Sequence, residues 1–180
     1  MLERIIISGF GGQGVMLMGR LLAYAGMIEG KKVAWMPSYG PEMRGGTANC
    51  TVLISSNEIG SPIVSHPKIL IAMNQPSLDK FEPNVRENGL IILNSSLIKR
   101  EVKRKDVNII RIPADDIAAK LGNSRAANMV ALGAYVKKSG VVKSETIFKA
   151  LEKALTGSKQ KLLDINKKAL KQGAELVKEQ

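Results

Sequence analysis

The chain has 180 residues, 44% hydrophobic and 24% charged, with 27 Lys and Arg against 16 Asp and Glu for a formal net charge of +11. That length suits one well-buried core and is short for two, and no apolar run is long enough to span a bilayer. A single cysteine and a single histidine argue against an iron–sulfur cluster, a histidine-based metal site or a catalytic triad supplied by this chain, and 4% aromatic residues leave almost no stacking surface for nucleic acid.

Residues 4–8 form a short apolar run stopped by glycine, the pattern of a buried first strand. Over residues 14–28, Val15, Met16, Leu17, Leu21, Leu22, Ala25 and Ile28 recur on a wide helical face, and Glu29-Gly30-Lys31 supplies a glycine stop. Residues 32–36 predict a second strand closed by Pro37. After a loop over 38–46, a longer strand over 47–55 takes in Cys50 as a buried, inert thiol. His66, in Ser65-His66-Pro67, falls in a loop. Residues 69–73, 90–93 and 107–112 are further apolar strands, and residues 75–86, with two prolines, predict a partly helical connection.

Beyond Pro113 the pattern turns helical. Asp115 and Asp116 stand at the positive end of a helix that runs through Leu121. Residues 128–138 make a helix of small residues suited to close packing, and Ser144 with Glu145 opens another that carries Ile147, Phe148, Leu151 and Leu155 on one stripe. The tail over 158–180 is amphipathic, with Leu162, Leu163, Ile165, Leu170 and Leu176 directed inward. Its lysines, like the basic run 99–105, read as solvated faces. Strands alternating with helices predict an α/β fold: a three-layer, mostly parallel, Rossmann-like sheet with helices on both faces and a helical C-terminal tail, in one domain over 1–180. No secretion signal is visible, so the expected compartment is the cytoplasm, with no membrane and no nucleic-acid partner.

Gly9-Phe10-Gly11-Gly12-Gln13-Gly14 has the glycine spacing of a dinucleotide-binding loop, in the right setting of strand, glycines, helix. Gly9 permits the tight turn, Gly11 lets backbone approach a ligand, and Gly14 lets the helix sit close to the sheet. Bare N–H groups at a helix start form an anion site, where the dipole contributes ~0.3–1 kcal/mol without distinguishing one phosphate from another. An NAD site also requires Asp or Glu about 20 residues on, at the end of the second strand. Ala34-Trp35-Met36-Pro37-Ser38 offers no acid there, Glu29 comes too early, and no arginine stands ready for an NADP phosphate. Three readings stay open on these residues alone: a free-standing NAD(P)-dependent oxidoreductase, a site for another phosphate-bearing ligand, and a purely architectural turn.

The second loop, Ser38-Tyr39-Gly40-Pro41-Glu42-Met43-Arg44-Gly45-Gly46, is less ordinary, with a proline, three glycines, a Glu and an Arg in nine residues. It leaves the carboxyl end of the second strand, where ligands bind in open α/β sheets. Taken with the first loop through Val15, with Thr47-Ala48-Asn49-Cys50 and with Asn128-Met129-Val130-Ala131-Leu132-Gly133, it resembles the gamma subunit of the 2-oxoacid:ferredoxin oxidoreductases. The resemblance covers nearly the whole chain and is strongest over residues 1–60. The form of the second loop is similar to the 2-oxoglutarate or branched-chain 2-oxoacid type; the pyruvate type has a more aromatic, differently ended loop.

The resemblance implies one subunit of an oxidoreductase complex. Alpha and beta subunits hold thiamine diphosphate with Mg²⁺ and decarboxylate the 2-oxoacid, 2-oxoglutarate being the first expectation. Iron–sulfur clusters in the beta subunit, or in a ferredoxin-like delta subunit, pass electrons to ferredoxin, and the acyl group leaves on coenzyme A. For this chain it implies no catalytic residue and no metal. Gly9, Gly11, Gly12, Gln13 and Gly14 become a cradle for the coenzyme A phosphates, with backbone N–H groups from residues 11–14 and the Gln13 side chain as an extra contact. Ser38, Tyr39, Gly40, Glu42, Arg44, Gly45 and Gly46 approach the catalytic subunits and the reactive end of coenzyme A, Arg44 pairing with a phosphate or a partner carboxylate and Tyr39 lining the channel. Arg20, about two turns into the helix, is expected to face solvent, with a phosphate as the alternative. The excess of positive charge suits docking onto acidic neighbours.

Overall fold

Alternating apolar residues in short runs build the sheet. The computed structural model describes residues 1–38 and 47–177. Among them six strands, β1 (Leu2–Gly9), β2 (Lys32–Ser38), β3 (Ala48–Ser55), β4 (Ile69–Ala72), β5 (Leu90–Asn94) and β6 (Asn108–Ile112), form one sheet in the order β2-β3-β1-β4-β5-β6. β1, β4, β5 and β6 run parallel, and β3 is antiparallel to both β1 and β2, so β2 points the same way as β1. The mostly parallel sheet therefore contains one reversed strand. In a dinucleotide-binding fold the second strand flanks the first directly; here β3 separates them.

The helices are α1 (Val15–Ile28), α2 (Gln75–Phe81), α3 (Ala114–Lys120), α4 (Ala127–Ser139), α5 (Ser144–Ala154) and α6 (Leu163–Leu176). Ile7, Val52, Ile71 and Ile92 face the larger core, where α1 and α4 lie on the sheet, α5 packs on α1 and α6 packs on α4. Their strand neighbours Ile6, Leu70, Ile91 and Leu93 face the opposite side and meet Leu78 of α2, Val85 and Ile98. Helices thus lie on both faces, but among the described helices the second face has α2 alone, completed by irregular chain.

The basic run 99–105 departs from the expectation of a solvated face. Glu82 lies under it, only 2% exposed, and a buried carboxylate must be paired. Arg100 donates to Glu82 and to Asp79, each at 2.6 Å, and the backbone N–H of Arg104 donates to Glu82 at 3.0 Å. Half-buried Val102 packs into the second core between them. Pro37 also differs: it lies inside β2 rather than closing it, paired in register with Cys50. β2 is the sheet edge, where a missing N–H faces outward at no cost to the ladder.

In the tail the predicted inward stripe holds for Leu162, Leu163, Leu170 and Leu176, which pack into or against the larger core, and small and polar residues join it. Asn166, Ala169, Leu170 and Gly173 are buried in α6, while Ile165 is only half-buried. The reason is backbone proximity between α4 and α6. A Cβ on Gly133 would stand 2.0 Å from the Leu170 carbonyl oxygen, and one on Gly173 would stand 1.9 Å from that of Val130. Small residues set this crossing more firmly than large apolar ones. Gly173→Ala is accordingly expected to destabilise the fold by about 1–3 kcal/mol through overpacking. Urea denaturation checks this, with the exposed Lys168→Ala as a control expected to stay within roughly 0.5 kcal/mol of the parent.

Candidate functional site

The glycine loop joins the carboxyl end of β1 to α1, and side chains from three directions shape it. The Gln13 N–H closes a turn on the Phe10 carbonyl at 3.1 Å. The Gln13 carboxamide oxygen accepts from the Phe10 N–H at 2.6 Å and from Asn74 Nδ2 at 3.3 Å, while its nitrogen donates to the Met73 carbonyl at 3.3 Å. Gln13 is thus turned inward, and both its N–H and its carboxamide serve the loop itself. This corrects the expectation that they reach a phosphate. Gly9 follows from the same geometry, since a Cβ there would lie 2.7 Å from Gln13 Oε1 and 2.9 Å from Met73 Cβ.

On the other flank Asn128, in the first turn of α4, donates through Nδ2 to the Gly14 carbonyl at 3.3 Å. Gly14 has φ 73°, the left-handed region, and a Cβ on it would stand 2.2 Å from Asn128 Nδ2. Only glycine satisfies both demands. Gly11 and Gly12 are exposed, with nothing within 4 Å of an added Cβ. The N–H groups of Gly11, Gly12, Gly14, Val15, Met16 and Leu17 have no backbone acceptor among the described residues. No side chain caps α1 and no acid occupies its first turn. The helix start is therefore positively polarised and, among the described residues, open and free of competing carboxylate.

Behind the loop, a row of buried polar groups finishes the carboxyl edge of the sheet. Ser8 donates to Ser77 at 2.9 Å, Asn74 caps α2 by accepting from the Ser77 N–H at 2.9 Å, and Asn94 donates to the Met73 carbonyl at 3.2 Å. Ser8, Asn74, Asn94 and Asn128 were missed as site supports by sequence reasoning. The available signal was an asparagine immediately ending the apolar runs at 69–73 and 90–93. Cys50 is fully buried, and its thiol donates to the Val15 carbonyl at 3.4 Å, beneath the start of α1. Burial pushes this thiol up to about 11.

A cleft of about 380 Å³ lies over the open loop, lined by Gly11, Gly12, Gly14, Met16, Arg20 and Trp35 among others. Arg20 is exposed, as expected, and it also borders this cleft, forming no ion pair among the described residues. Ser38 ends β2 opposite Asn49, which in turn lies opposite Ser8, so the second loop leaves the same sheet edge one strand away from the first. Tyr39, Gly40, Glu42, Arg44, Gly45 and Gly46 lie outside the described residues. Among the described residues no cluster of three or more His, Cys, Asp or Glu is disposed to hold a metal ion, and no helix is long and apolar enough to cross a membrane.

Comparison with known proteins bears on this edge. Residues 4–176 match the family described as pyruvate ferredoxin/flavodoxin oxidoreductase. The chain is 42% identical over 176 residues to the ketoisovalerate oxidoreductase subunit VorA of Methanothermobacter thermautotrophicus, covering 98% of this chain and 36% of that one. It is 34% identical over 183 residues to the 2-oxoglutarate synthase subunit KorC of Methanocaldococcus jannaschii, covering 99% and 96%. The chain therefore spans about a third of the length of the VorA relative and nearly the whole of the KorC one. Among solved structures, the gamma subunit of a keto/oxoacid ferredoxin oxidoreductase from Geobacter sulfurreducens superposes with TM-score 0.86 at 29% identity, covering 99% of each chain.

Two measurements check this geometry. Native Cys50 is expected to react with iodoacetamide at about pH 8 roughly a hundred-fold or more slowly than in the urea-unfolded chain, because burial suppresses the thiolate. Gly14→Ala combines a left-handed backbone with the Asn128 clash, so it is expected to cost about 1–3 kcal/mol in denaturant unfolding.

Proposed function

Because the chain belongs to the pyruvate ferredoxin/flavodoxin oxidoreductase family, we propose that it is the gamma subunit of a 2-oxoacid:ferredoxin oxidoreductase and that its glycine loop holds phosphates of coenzyme A. The observation that carries this reading is the uncapped start of α1, whose N–H groups open beside Gly11 and Gly12, with no carboxylate among the described residues lining the cleft. Amides without a backbone acceptor at the positive end of a helix suit a pyrophosphate. Arg20 at the same cleft adds a full positive charge. A nicotinamide reading is disfavoured by two features: no acid ends β2, and β3 displaces that strand end from the loop.

In this assignment the chain acts in the cytoplasm as one domain without a catalytic residue, beside alpha and beta subunits and, in some assemblies, delta. Thiamine diphosphate with Mg²⁺ supplies 2-oxoacid decarboxylation in those partners, iron–sulfur clusters there carry the electrons to ferredoxin, and coenzyme A takes the acyl group. The contribution of this chain is to fix the carrier's phosphates, so that its thiol arm is presented to the active site rather than sampled from solution. The second loop, which begins at Ser38 on the same sheet edge, is assigned the contact with the catalytic subunits and the reactive end of coenzyme A. Relatives named for ketoisovalerate and for 2-oxoglutarate support a 2-oxoacid of the branched-chain or 2-oxoglutarate kind, selected in the catalytic subunits.

Reconstitution tests this. Alpha and beta subunits assayed with each acid, coenzyme A and ferredoxin are expected to need this chain for acyl-coenzyme A formation, and full activity without it overturns the reading. Gly11→Leu fills the cleft where no neighbour is clashed. It is expected to raise the coenzyme A KM about ten-fold or more, the loss of roughly 1.4 kcal/mol of binding, at unchanged decarboxylation. Equal loss of both activities points instead to a role in assembly.

A further inference from the structure

A second cleft, of about 660 Å³, opens along α1 beyond the glycine loop. Arg20, Tyr24 and Met27 recur on one stripe of α1 and form one wall, Val33 and Trp35 from one side of β2 form the floor, and Lys153 of α5 stands at the opposite rim. The Lys153 ammonium donates to the Tyr24 hydroxyl at 2.9 Å. Arg20 and Trp35 line this cleft and the glycine-loop cleft alike, so the two adjoin.

Three features set this face apart. No residue of β2 is fully buried, although its neighbour β3 buries six of its eight positions. Met27 is 61% exposed and Ile28 42% exposed at the end of α1, apolar surface that a helix normally hides. The lining combines Trp, Tyr, Met and Arg, the residue types enriched where proteins meet, and no acid among the described residues lines it. An apolar floor between two cations, on a chain with net charge +11, is complementary to an apolar segment bordered by carboxylates.

We infer that the α1–β2–α5 cleft is the docking surface for a neighbouring catalytic subunit of the same oxidoreductase, which inserts an apolar segment flanked by Asp or Glu. The inference rests on the proposed assignment as a gamma subunit. In the VorA relative a unit like this chain makes up 36% of a longer polypeptide, so a permanent neighbour on this scale has a precedent in the family. Because the clefts share Arg20 and Trp35, a seated partner also abuts one flank of the coenzyme A cradle and couples assembly to carrier binding.

Hydroxyl-radical footprinting of the free chain and of the purified complex tests it. Met27 and Tyr24 are expected to be protected at least several-fold in the complex and reactive in the free chain. Met27→Glu and Lys153→Glu, both at exposed positions, are expected to weaken association by roughly ten-fold or more while leaving the free chain's Tm unchanged, and rising salt should weaken wild-type association in the same direction. A complex that forms and is active with Met27 still fully reactive overturns this inference and leaves the gamma-subunit reading standing, as does protection that appears in the isolated chain by self-association. Failure to join any 2-oxoacid oxidoreductase overturns both.

Discussion

An amide N–H already engaged in a hydrogen bond has little left for an anion, and this constraint organises the glycine loop. The phosphate cradle proposed for this loop must be rigid, yet the groups that would ordinarily make a turn rigid are the same backbone amides a phosphate needs. The chain resolves the conflict with side chains. Gln13 links the loop to Phe10, Asn74 and Met73, while Asn128 holds the Gly14 carbonyl from the far side. The turn is fixed by carboxamides, and the amides of Gly11, Gly12 and the first turn of α1 are left open. Gly9 and Gly14 serve this arrangement as well, by letting those carboxamides come close.

The same economy appears in the charges. The net charge of +11 suggests a uniformly basic surface, but the arginines divide into two kinds. Arg100 turns back over Glu82, whose burial demands compensation, while the Arg104 guanidinium pairs with Asp106 and donates to the Val85 carbonyl, and so both hold the second face of the sheet in place. Arg20 has no such partner among the described residues and borders both clefts. Charge that is internally neutralised contributes to structure; charge left unpaired at an apolar cleft is what a ligand or neighbour can use.

Strand order decides where these features meet. The reversed β3 between β1 and β2 keeps both loops at one sheet edge but a strand apart, and it makes β2 the outermost strand. β2 then lacks a full cover from the helical layer, leaving Val33 and Trp35 half-buried. Incomplete cover at the edge, beside a loop with open amides, fits a unit that works against other chains better than one that works alone.

Much of this was present in the one-dimensional pattern, because apolar periodicity and glycine or proline stops are local. The six strands, the helix from the first glycine loop to Ile28, the carboxylates at the start of α3 and the burial of Cys50 all follow from it. Family membership was likewise readable from two loop motifs at a fixed spacing. What stayed hidden depends on partners distant in sequence. The reversal of β3, the inward turn of Gln13, the clamp of Asn128 on Gly14 114 positions away and the Gly133–Gly173 crossing are not local. The same holds for the carboxylate beneath the basic run. Local spacing constrains which conformation a segment adopts. Which of its polar groups remain free is settled only when the folded chain brings distant acceptors within hydrogen-bonding distance.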